Sequence, residues 1–577
     1  MTTGRTPTGP VGSDAPTRWP RPRAVDWVPW LPLLLAGGFV VWLVSRFSRV
    51  VEAIHINPDA DFAPVLVRDM GSGTRGGTIL VGEASHLTTI WFLQLTRALP
   101  FHDVIWDWAP YLVFLAGLGL TAWACRQVAG RWAAAMTFAV GACAEATVLL
   151  TVMTEGIRGN TFFSDAALGA ILVLFAAFPA MGTWKKVVAA TAAVVIAGSA
   201  LASDPLFLAV GLGPFVGAPV VAWLLGGKAA GRRLSALAMG VAAAAVVLSQ
   251  LIWAVMRSAG YRRNYLRAGY SIAGPDEIVT NVKKFAGHVL TFGHGSWSGR
   301  HSDLTGLGRL GMVVVISGAA VYGFVLTFQL WRRRRLVATR TGATVEDPAV
   351  ETGALLLYTA FWLLSGLGTL AAFALSSFAS GPSDSSRYVI PVFLALAALG
   401  PLWGRAPDWR RFVTAGCITV FCALTLIGRG DMFLYEQFSG LNTIHIYGAD
   451  IVSFLEGEGV TYGYGGYFTS HQLTLMSDLK VYSYPVIACH QPESDTLCPF
   501  FVNTRTAWYR PRAGQRTFVI HDASAPAFIS PVPPKSLGPP STTRKFGPVT
   551  VWVFDFDVAS SFDPPCIAPG TFVCPPK

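Results

Sequence analysis

The sequence predicts an α-helical polytopic membrane protein with about 11 transmembrane helices and a small C-terminal extracytoplasmic α/β domain. Three observations predict this fold class. Only 13% of the 577 residues are charged, whereas soluble domains carry about 25%. Apolar runs repeatedly reach the length of roughly 20 residues that spans a bilayer. After about residue 429 the composition returns to that of a soluble protein.

The predicted spans follow an N-terminal segment, residues 1–26, which is rich in Pro, Gly, Thr and Arg and is expected to be disordered. The first apolar run has no convincing small-residue cleavage site after it, so we interpret it as a retained span rather than a signal peptide. The predicted spans are 27–47, 104–125, 132–153, 163–182, 187–203, 206–225, 235–256, 307–331, 353–378, 387–403 and 412–428.

Basic residues in the connecting segments predict the orientation of the chain. Alternate segments each carry at least two Lys or Arg, which is typical of cytoplasmic loops. These residues are Arg5, Arg18, Arg21 and Arg23; Arg126 and Arg131; Lys185 and Lys186; Lys228, Arg232 and Arg233; Arg332 to Arg335; and Arg405, Arg410 and Arg411. We therefore expect a multi-pass protein of the cell membrane with a cytoplasmic N-terminus. The loops 48–87 and 257–306 and the domain 429–577 are expected on the outer face.

The eight cysteines support this orientation. Four of them fall inside apolar runs, where a free thiol behaves as a small apolar side chain. The other four lie in the polar C-terminal region: Cys489, Cys498, Cys566 and Cys574. Two close pairs on an oxidising outer face predict two disulfides, although the spacing leaves their connectivity open.

The C-terminal region predicts a small α/β domain that packs on the outer loops. A helical stretch is expected near 446–457, and strand-like runs occur at 481–487, 517–521 and 549–556. A separate short apolar run, 87–99, is too short to span the bilayer and predicts an interfacial helix lying on the membrane.

Two carboxylates at the start of the first outer loop are the first candidates for chemistry. Asp59 and Asp61 follow the first span by about ten residues. Ionisable groups near the bilayer are costly unless they face water or a partner, which favours a functional role. The structural alternative is a helix cap, since Asp commonly caps a helix. Together with Asp69 these acids would suit a divalent cation, but the number of carboxylates does not decide whether one is bound.

Arginines in the second long outer loop are candidates for binding phosphate. Arg262 and Arg263 belong to a basic stretch that opposes the positive-inside trend, and Arg387 opens a late span. Guanidinium groups bind phosphate oxygens in bidentate fashion. The structural alternative is that long outer loops tolerate positive charge.

Several function classes lack their sequence signatures. The chain has no Walker-type phosphate loop, no nucleophile elbow and no His/Cys metal cluster. No series of acids runs through the spans, and no inverted repeat is evident, which disfavours a proton-coupled transporter. The run Arg332 to Arg335 is explained as a stop-transfer anchor, so no nucleic-acid partner is predicted.

Four motifs resemble the GT-C superfamily of polytopic glycosyltransferases, in particular its actinobacterial branch that uses polyprenyl-phosphate sugars. They are Asn57-Pro-Asp59-Ala-Asp61, the stretch His86–Arg131, Ser386-Arg387-Tyr388-Val-Ile-Pro391, and the segment from Tyr462 through His471 to Leu475. Together they extend across nearly the whole chain. Ala60 separates the two acids, which family members carry as an adjacent pair, so the choice between Asp59 and Asp61 stays open.

The resemblance implies an inverting glycosyltransferase that acts on the outer face. A first-loop carboxylate would be the general base, with Asp59 first and Asp61 second, and a lipid phosphate would leave. Arg262, Arg263 and Arg387 are the expected contacts of that phosphate. The donor would be a polyprenyl-phosphate mannose or arabinofuranose, and the acceptor a cell-envelope glycan, glycolipid or protein.

Two other function classes remain open at the level of sequence. A flippase for lipid-linked glycans would need acids deeper in the membrane than the first loop. A non-catalytic scaffold for cell-wall synthesis would tolerate replacement of the first-loop carboxylates.

Overall fold

The fold is described by a computed structural model, which covers residues 30–46, 58–71, 77–82, 85–144, 148–149, 152, 156–226, 229–263, 272–292, 311, 314, 317–325, 327–329, 332, 347–376, 379, 386–405, 408–427, 443–489, 496–524 and 529–562. The N-terminal segment 1–26, Cys566 and Cys574 lie outside these residues. The side chains of residues 58–60 and 386–387 are also outside the description.

Helices form most of the described chain. Their bounds are α1 Leu31–Ser45, α2 Pro58–Gly71, α3 Leu87–Thr96, α4 His102–Ala142, α5 Gly156–Ala177, α6 Thr183–Ser203, α7 Gly213–Gly226, α8 Ala229–Ser258, α9 Pro275–Phe292, α10 Asp347–Leu375, α11 Ile390–Leu399, α12 Asp408–Ile427, α13 Thr443–Gly457 and α14 Tyr467–Met476. A short π-helix, Leu208–Leu212, precedes α7.

Six helices in the described residues are long and apolar enough to cross a membrane. These lie within α4, α5, α6, α8, α10 and α12, and shorter apolar helices include α1, α3 and the pieces 208–224 and 390–403. Helix α4 bends at Gly130, where φ is +89°. The bend separates the predicted span 104–125 from the predicted start of the next one at 132. The expected interfacial helix is present as α3.

The membrane helices pack around one apolar cluster that extends from Ala36 to Cys422. Small residues allow close approach, as is usual between membrane helices. At Gly117 of α4, a Cβ atom would lie 2.9 Å from the ring of Phe162 on α5. The tight α4–α5 contact therefore depends on glycine at that position.

The C-terminal region is a six-stranded sheet with helices. Its strands are β3 Tyr462–Gly465, β4 Tyr482–Ala488, β5 Leu497–Pro499, β7 Thr517–Asp522, β8 Thr542–Phe546 and β9 Val549–Phe554. The order is β5-β4-β3-β7-β9-β8, and the central β4, β3 and β7 run parallel. The predicted α/β class is confirmed. A disulfide joins Cys489 and Cys498 beside the β4–β5 pair.

A second, three-stranded sheet ties distant outer segments together. Strand β1 Ile79–Val81 of the first loop pairs in parallel with β2 Tyr261–Arg263 of the second loop. It also pairs antiparallel with β6 Thr504–Arg505 of the C-terminal region. The three segments that the sequence assigns to one face therefore meet at one end of the membrane helices.

Candidate functional site

Helix α2 carries both predicted catalytic carboxylates and lies between the membrane helices and the outer domain. At 100° per residue, positions 59 and 61 fall about 200° apart and so on opposite faces. Position 59 shares its face with Leu66 and Met70. The Met70 sulfur accepts a hydrogen bond from Gln94 of α3 at 3.6 Å. Met70 therefore holds one side of α2 against the interfacial helix.

Helix α2 also contacts the outer domain. Asp61 on this helix is fully buried. The adjacent Phe62 ring lies 5.8 Å from the ring of His471 on α14. His471 is also fully buried and packs against Trp508. The residue that follows the first motif thus contacts the fourth motif, although Phe62 and His471 are 409 residues apart in sequence.

The C-terminal end of α2 is held by ion pairs. Asp69 accepts from Arg505 Nη1 at 2.9 Å and from Trp508 Nε1 at 3.1 Å, and all these groups are buried. Arg68 pairs with Asp103 and, at 3.4 Å, with Asp478. Because Arg505 already neutralises Asp69, this acid is poorly suited to a divalent cation. Within the described residues, no group of three or more His, Cys, Asp or Glu is arranged to hold a metal.

The turn between α6 and the π-helix accepts hydrogen bonds from three other segments. The Ala202 carbonyl accepts from Ser85 Oγ at 3.0 Å, Trp253 Nε1 at 2.9 Å and Arg263 Nη2 at 2.6 Å. The Ser203 carbonyl accepts from the Ser85 backbone N–H at 2.8 Å. The turn has the sequence Ser203-Asp204-Pro205. It anchors the end of the first outer loop and the start of the second.

The same turn holds a buried ion pair that sequence reasoning missed. Asp204 Oδ2 accepts from Arg158 Nη1 at 2.8 Å and from Thr161 Oγ1 at 3.4 Å. The Arg158 guanidinium carbon lies 4.8 Å from the centroid of the Tyr388 ring. Tyr388 belongs to the third motif, so this contact brings the motif to the same end of the membrane helices.

An acid within the membrane helices was also missed. Asp165 on α5 is 2% exposed. It lines a small cavity with Arg158, Thr161 and Trp362. Its presence inside the predicted span 163–182 was the available signal, because an acid inside a span is costly.

The predicted phosphate-binding arginines occupy three different surroundings. Arg262 is exposed and donates to the carbonyls of Arg257 and Tyr261 at 3.1 and 3.3 Å. Arg263 stacks 4.0 Å from the ring centroid of Trp253 and reaches the Ala202–Asp204 turn. Arg387 lies in a short 3-10 helix, Ser386–Val389. The Ala202–Asp204 turn therefore lies between Arg263 and the helix that carries Arg387, whereas Arg262 is bonded to the end of α8.

The buried tyrosines of the outer domain keep their protons. Burial is the main cause that raises the pKa of Tyr462, Tyr464 and Tyr484. The Tyr462 hydroxyl donates to the Trp508 carbonyl, and the Tyr464 hydroxyl donates to Asp557 at 3.2 Å. These hydroxyls therefore act as hydrogen-bond donors that position the Trp508 segment against α2.

Comparison with solved structures shows the fold. The chain is similar to ArnT from Cupriavidus metallidurans bound to undecaprenyl phosphate, with a TM-score of 0.54 and 14% identity. The apo structure of the same ArnT gives a TM-score of 0.51 and 14% identity. Each likeness covers 92% of this chain and 99% of ArnT. No protein-family model matches the chain, and no curated protein matches it by sequence.

The likeness confirms two predictions. ArnT has the GT-C type of fold, so the GT-C-like architecture predicted from the four motifs is confirmed. The chain is a multi-pass membrane protein, because the fold is that of a membrane protein and several helices have spanning length.

Proposed function

We propose that this protein is an integral-membrane glycosyltransferase that uses a polyprenyl-phosphate-linked sugar as donor. One observation carries the proposal: in an ArnT-like fold, a helix bearing two carboxylates is held at the junction of the membrane helices and the outer domain. ArnT itself is a glycosyltransferase, and it has been solved bound to undecaprenyl phosphate. The acceptor would be a cell-envelope glycan, glycolipid or protein, and the sugar a mannose or arabinofuranose.

Asp59 is the proposed general base. It would take the proton of the acceptor hydroxyl as the acceptor oxygen attacks the anomeric carbon, and the lipid phosphate would leave from the opposite side with inversion. A base must come within hydrogen-bond reach of that hydroxyl. Asp61 is fully buried, which counts against its reaching the acceptor. This burial and the order of the motif support Asp59 as base and Asp61 as the second acid.

Cationic groups would stabilise the phosphate as it leaves, since preorganised charge lowers the barrier where negative charge develops. Arg387 and Arg263 are the proposed contacts, because their segments flank the Ala202–Asp204 turn. Arg262 is a weaker candidate, since it is exposed and already bonded to backbone carbonyls.

Substitution of the two acids tests the proposal. We expect Asp59→Asn to lower the transfer rate by about 100-fold or more, the usual contribution of a general base. Asp61→Asn should have a smaller effect. Transfer is measured with purified full-length protein in lipid nanodiscs, with a radiolabelled polyprenyl-phosphate sugar and an envelope glycan acceptor.

An exposed acid on α13 provides the control. Asp450→Asn makes the same chemical change far from α2 in sequence, and it should transfer sugar at the wild-type rate. Wild-type activity in both Asp59→Asn and Asp61→Asn would overturn the assigned mechanism. Movement of lipid-linked sugar across vesicles without a new glycosidic bond would favour a flippase instead.

A further inference from the structure

The ion pair between Arg158 and Asp204 has no role in the mechanism above, yet it reaches the motif that carries Arg387. We propose that Asp204 is a positioning residue for binding of the donor phosphate. Acting through Arg158, it fixes Tyr388 and with it the short helix that presents Arg387. This inference rests on the proposed function, in which Arg387 contacts that phosphate.

The Asp204 carboxylate is itself held from two sides. Its Oδ1 accepts from the backbone N–H of Leu206 at 3.0 Å, while Oδ2 accepts from Arg158 and Thr161. Asp204 and Arg158 are 4% and 8% exposed. Because water is excluded, each of these two charges is stabilised mainly by the other, so the pair has one well-defined geometry.

The second link is the contact between Arg158 and Tyr388. The guanidinium carbon lies over the Tyr388 ring at 4.8 Å from its centroid, within the range of a cation–π interaction. Tyr388 and Arg387 are adjacent in a 3-10 helix of only four residues. A contact that fixes Tyr388 therefore also fixes the backbone from which the Arg387 side chain starts.

Asp165 offers a matched comparison for Asp204. It is also buried, and it lines the same cavity as Arg158, two helical turns further along α5. In the described structure its Oδ1 atom makes no hydrogen bond. Both acids can be changed to Asn with little change in volume, but only Asp204 makes the hydrogen bond that orients Arg158 over Tyr388.

The first experiment compares Asp204→Asn with Asp165→Asn in full-length protein in nanodiscs. Donor KM and kcat are measured with a polyprenyl-phosphate sugar. We expect Asp204→Asn to raise donor KM about tenfold with little change in kcat, as when a charge-assisted contact to phosphate is lost equally from ground and transition states. Asp165→Asn should keep donor KM within about twofold of wild type.

A double variant separates positioning from general loss of structure. If Asp204 acts through Arg387, then Asp204→Asn combined with Arg387→Gln should have the donor KM of Arg387→Gln alone. If the increases in donor KM of the two single variants multiply in the double variant, the proposal is wrong. Equal effects of Asp204→Asn and Asp165→Asn on donor KM would also overturn it.

Tyr388 variants keep the proposal testable if Asp204→Asn does not fold. Tyr388→Leu removes the ring and leaves the ion pair, so donor KM should rise as it does in Asp204→Asn. Tyr388→Phe keeps the ring, so its donor KM should equal that of the wild type. A wild-type KM in Tyr388→Leu would refute the inference alone, whereas a wild-type protein that transfers no sugar from this donor would refute the proposed function and the inference with it.

Discussion

The two faces of the outer six-stranded sheet are built from different side chains. One face is mainly aliphatic. Ile520, Val549, Val551 and Val553, together with Phe518, pack with Ile444, Ile451 and Leu455 of α13. The other face is aromatic: Tyr462, Tyr464, Tyr484, Trp552 and Phe554 belong to one cluster with Phe62 and Leu66 of α2. Strand alternation separates the two sets, since successive side chains point to opposite faces.

This difference shows which face is an internal core and which is a docking surface. The aliphatic face needs only to exclude water, and Val and Ile do this in a strand. The aromatic face must also meet the polar end of α2. Tyrosine and tryptophan provide apolar area together with a hydrogen-bond donor, as Trp508 does when it donates to Asp69. Helix α2 is therefore positioned by the aromatic face.

The largest effect is expected at the ion pair on the docking face. Asp69→Asn would leave Arg505 buried without its counter-charge, which costs about 3–5 kcal/mol. We expect a lower thermal unfolding temperature and also a lower transfer rate per folded molecule, because the end of α2 is released. Thermal unfolding in detergent and the transfer assay measure the two effects.

A paired replacement checks that the buried charge is the cause. Asp69→Leu combined with Arg505→Met removes both charges, and it should recover much of the stability lost in Asp69→Asn. If Asp69→Asn is as stable as the exposed control Asp450→Asn, the docking role of this ion pair is wrong.

An intermediate effect is expected on the aliphatic face. Val551→Ala removes two buried methyl groups and should lower the free energy of unfolding by about 2 kcal/mol. The transfer rate per folded molecule should stay at the wild-type value, because this face does not contact α2. If Val551→Ala lowers the transfer rate per folded molecule as much as Asp69→Asn does, the two faces do not differ in function.

The smallest effect is expected from pH at His521, which stacks on Trp552 at the end of β7. Burial lowers the pKa of His521 below its ordinary value, and its Nδ1–H donates to the Ile529 carbonyl. The folded state therefore favours the neutral ring. Its stabilisation is complete above about pH 6.5, the usual pKa of an unfolded histidine, and is lost as the pH falls below that value.

His521→Asn tests this pH dependence. The difference in unfolding temperature between wild type and variant should be largest near pH 8 and should shrink towards pH 5. If the difference in unfolding temperature is constant from pH 5 to pH 8, protonation of His521 is not coupled to folding.

Much of the architecture was predictable because it depends on local properties of the chain. Span length and hydropathy placed the membrane helices, and composition located the outer α/β domain. The run 87–99 gave the interfacial helix, and the pair Cys489 and Cys498 forms a disulfide. Gly130 is non-helical and divides α4 at the boundary between two predicted spans.

The site was only partly predictable. Asp59 and Asp61 were predicted from their place after the first span, and that assignment stays a prediction. The structure shows that both belong to one helix, α2, which begins at Pro58. Arg158 and Asp204 gave weak signals, because each lies singly between two predicted spans. Their importance depends on a partner that sequence does not identify.

The sequence by itself determined that this is a multi-helix membrane protein with its candidate acids and arginines gathered at one end. Only the tertiary structure decided which of these groups meet. Asp69 and Arg505 are 436 residues apart in the chain, and Arg158 and Asp204 are 46 apart. Hydropathy and periodicity act over one helix, whereas ion pairs of this separation form only when whole elements pack. For that reason the fold could be predicted from local patterns, and the partners of its buried charges could not.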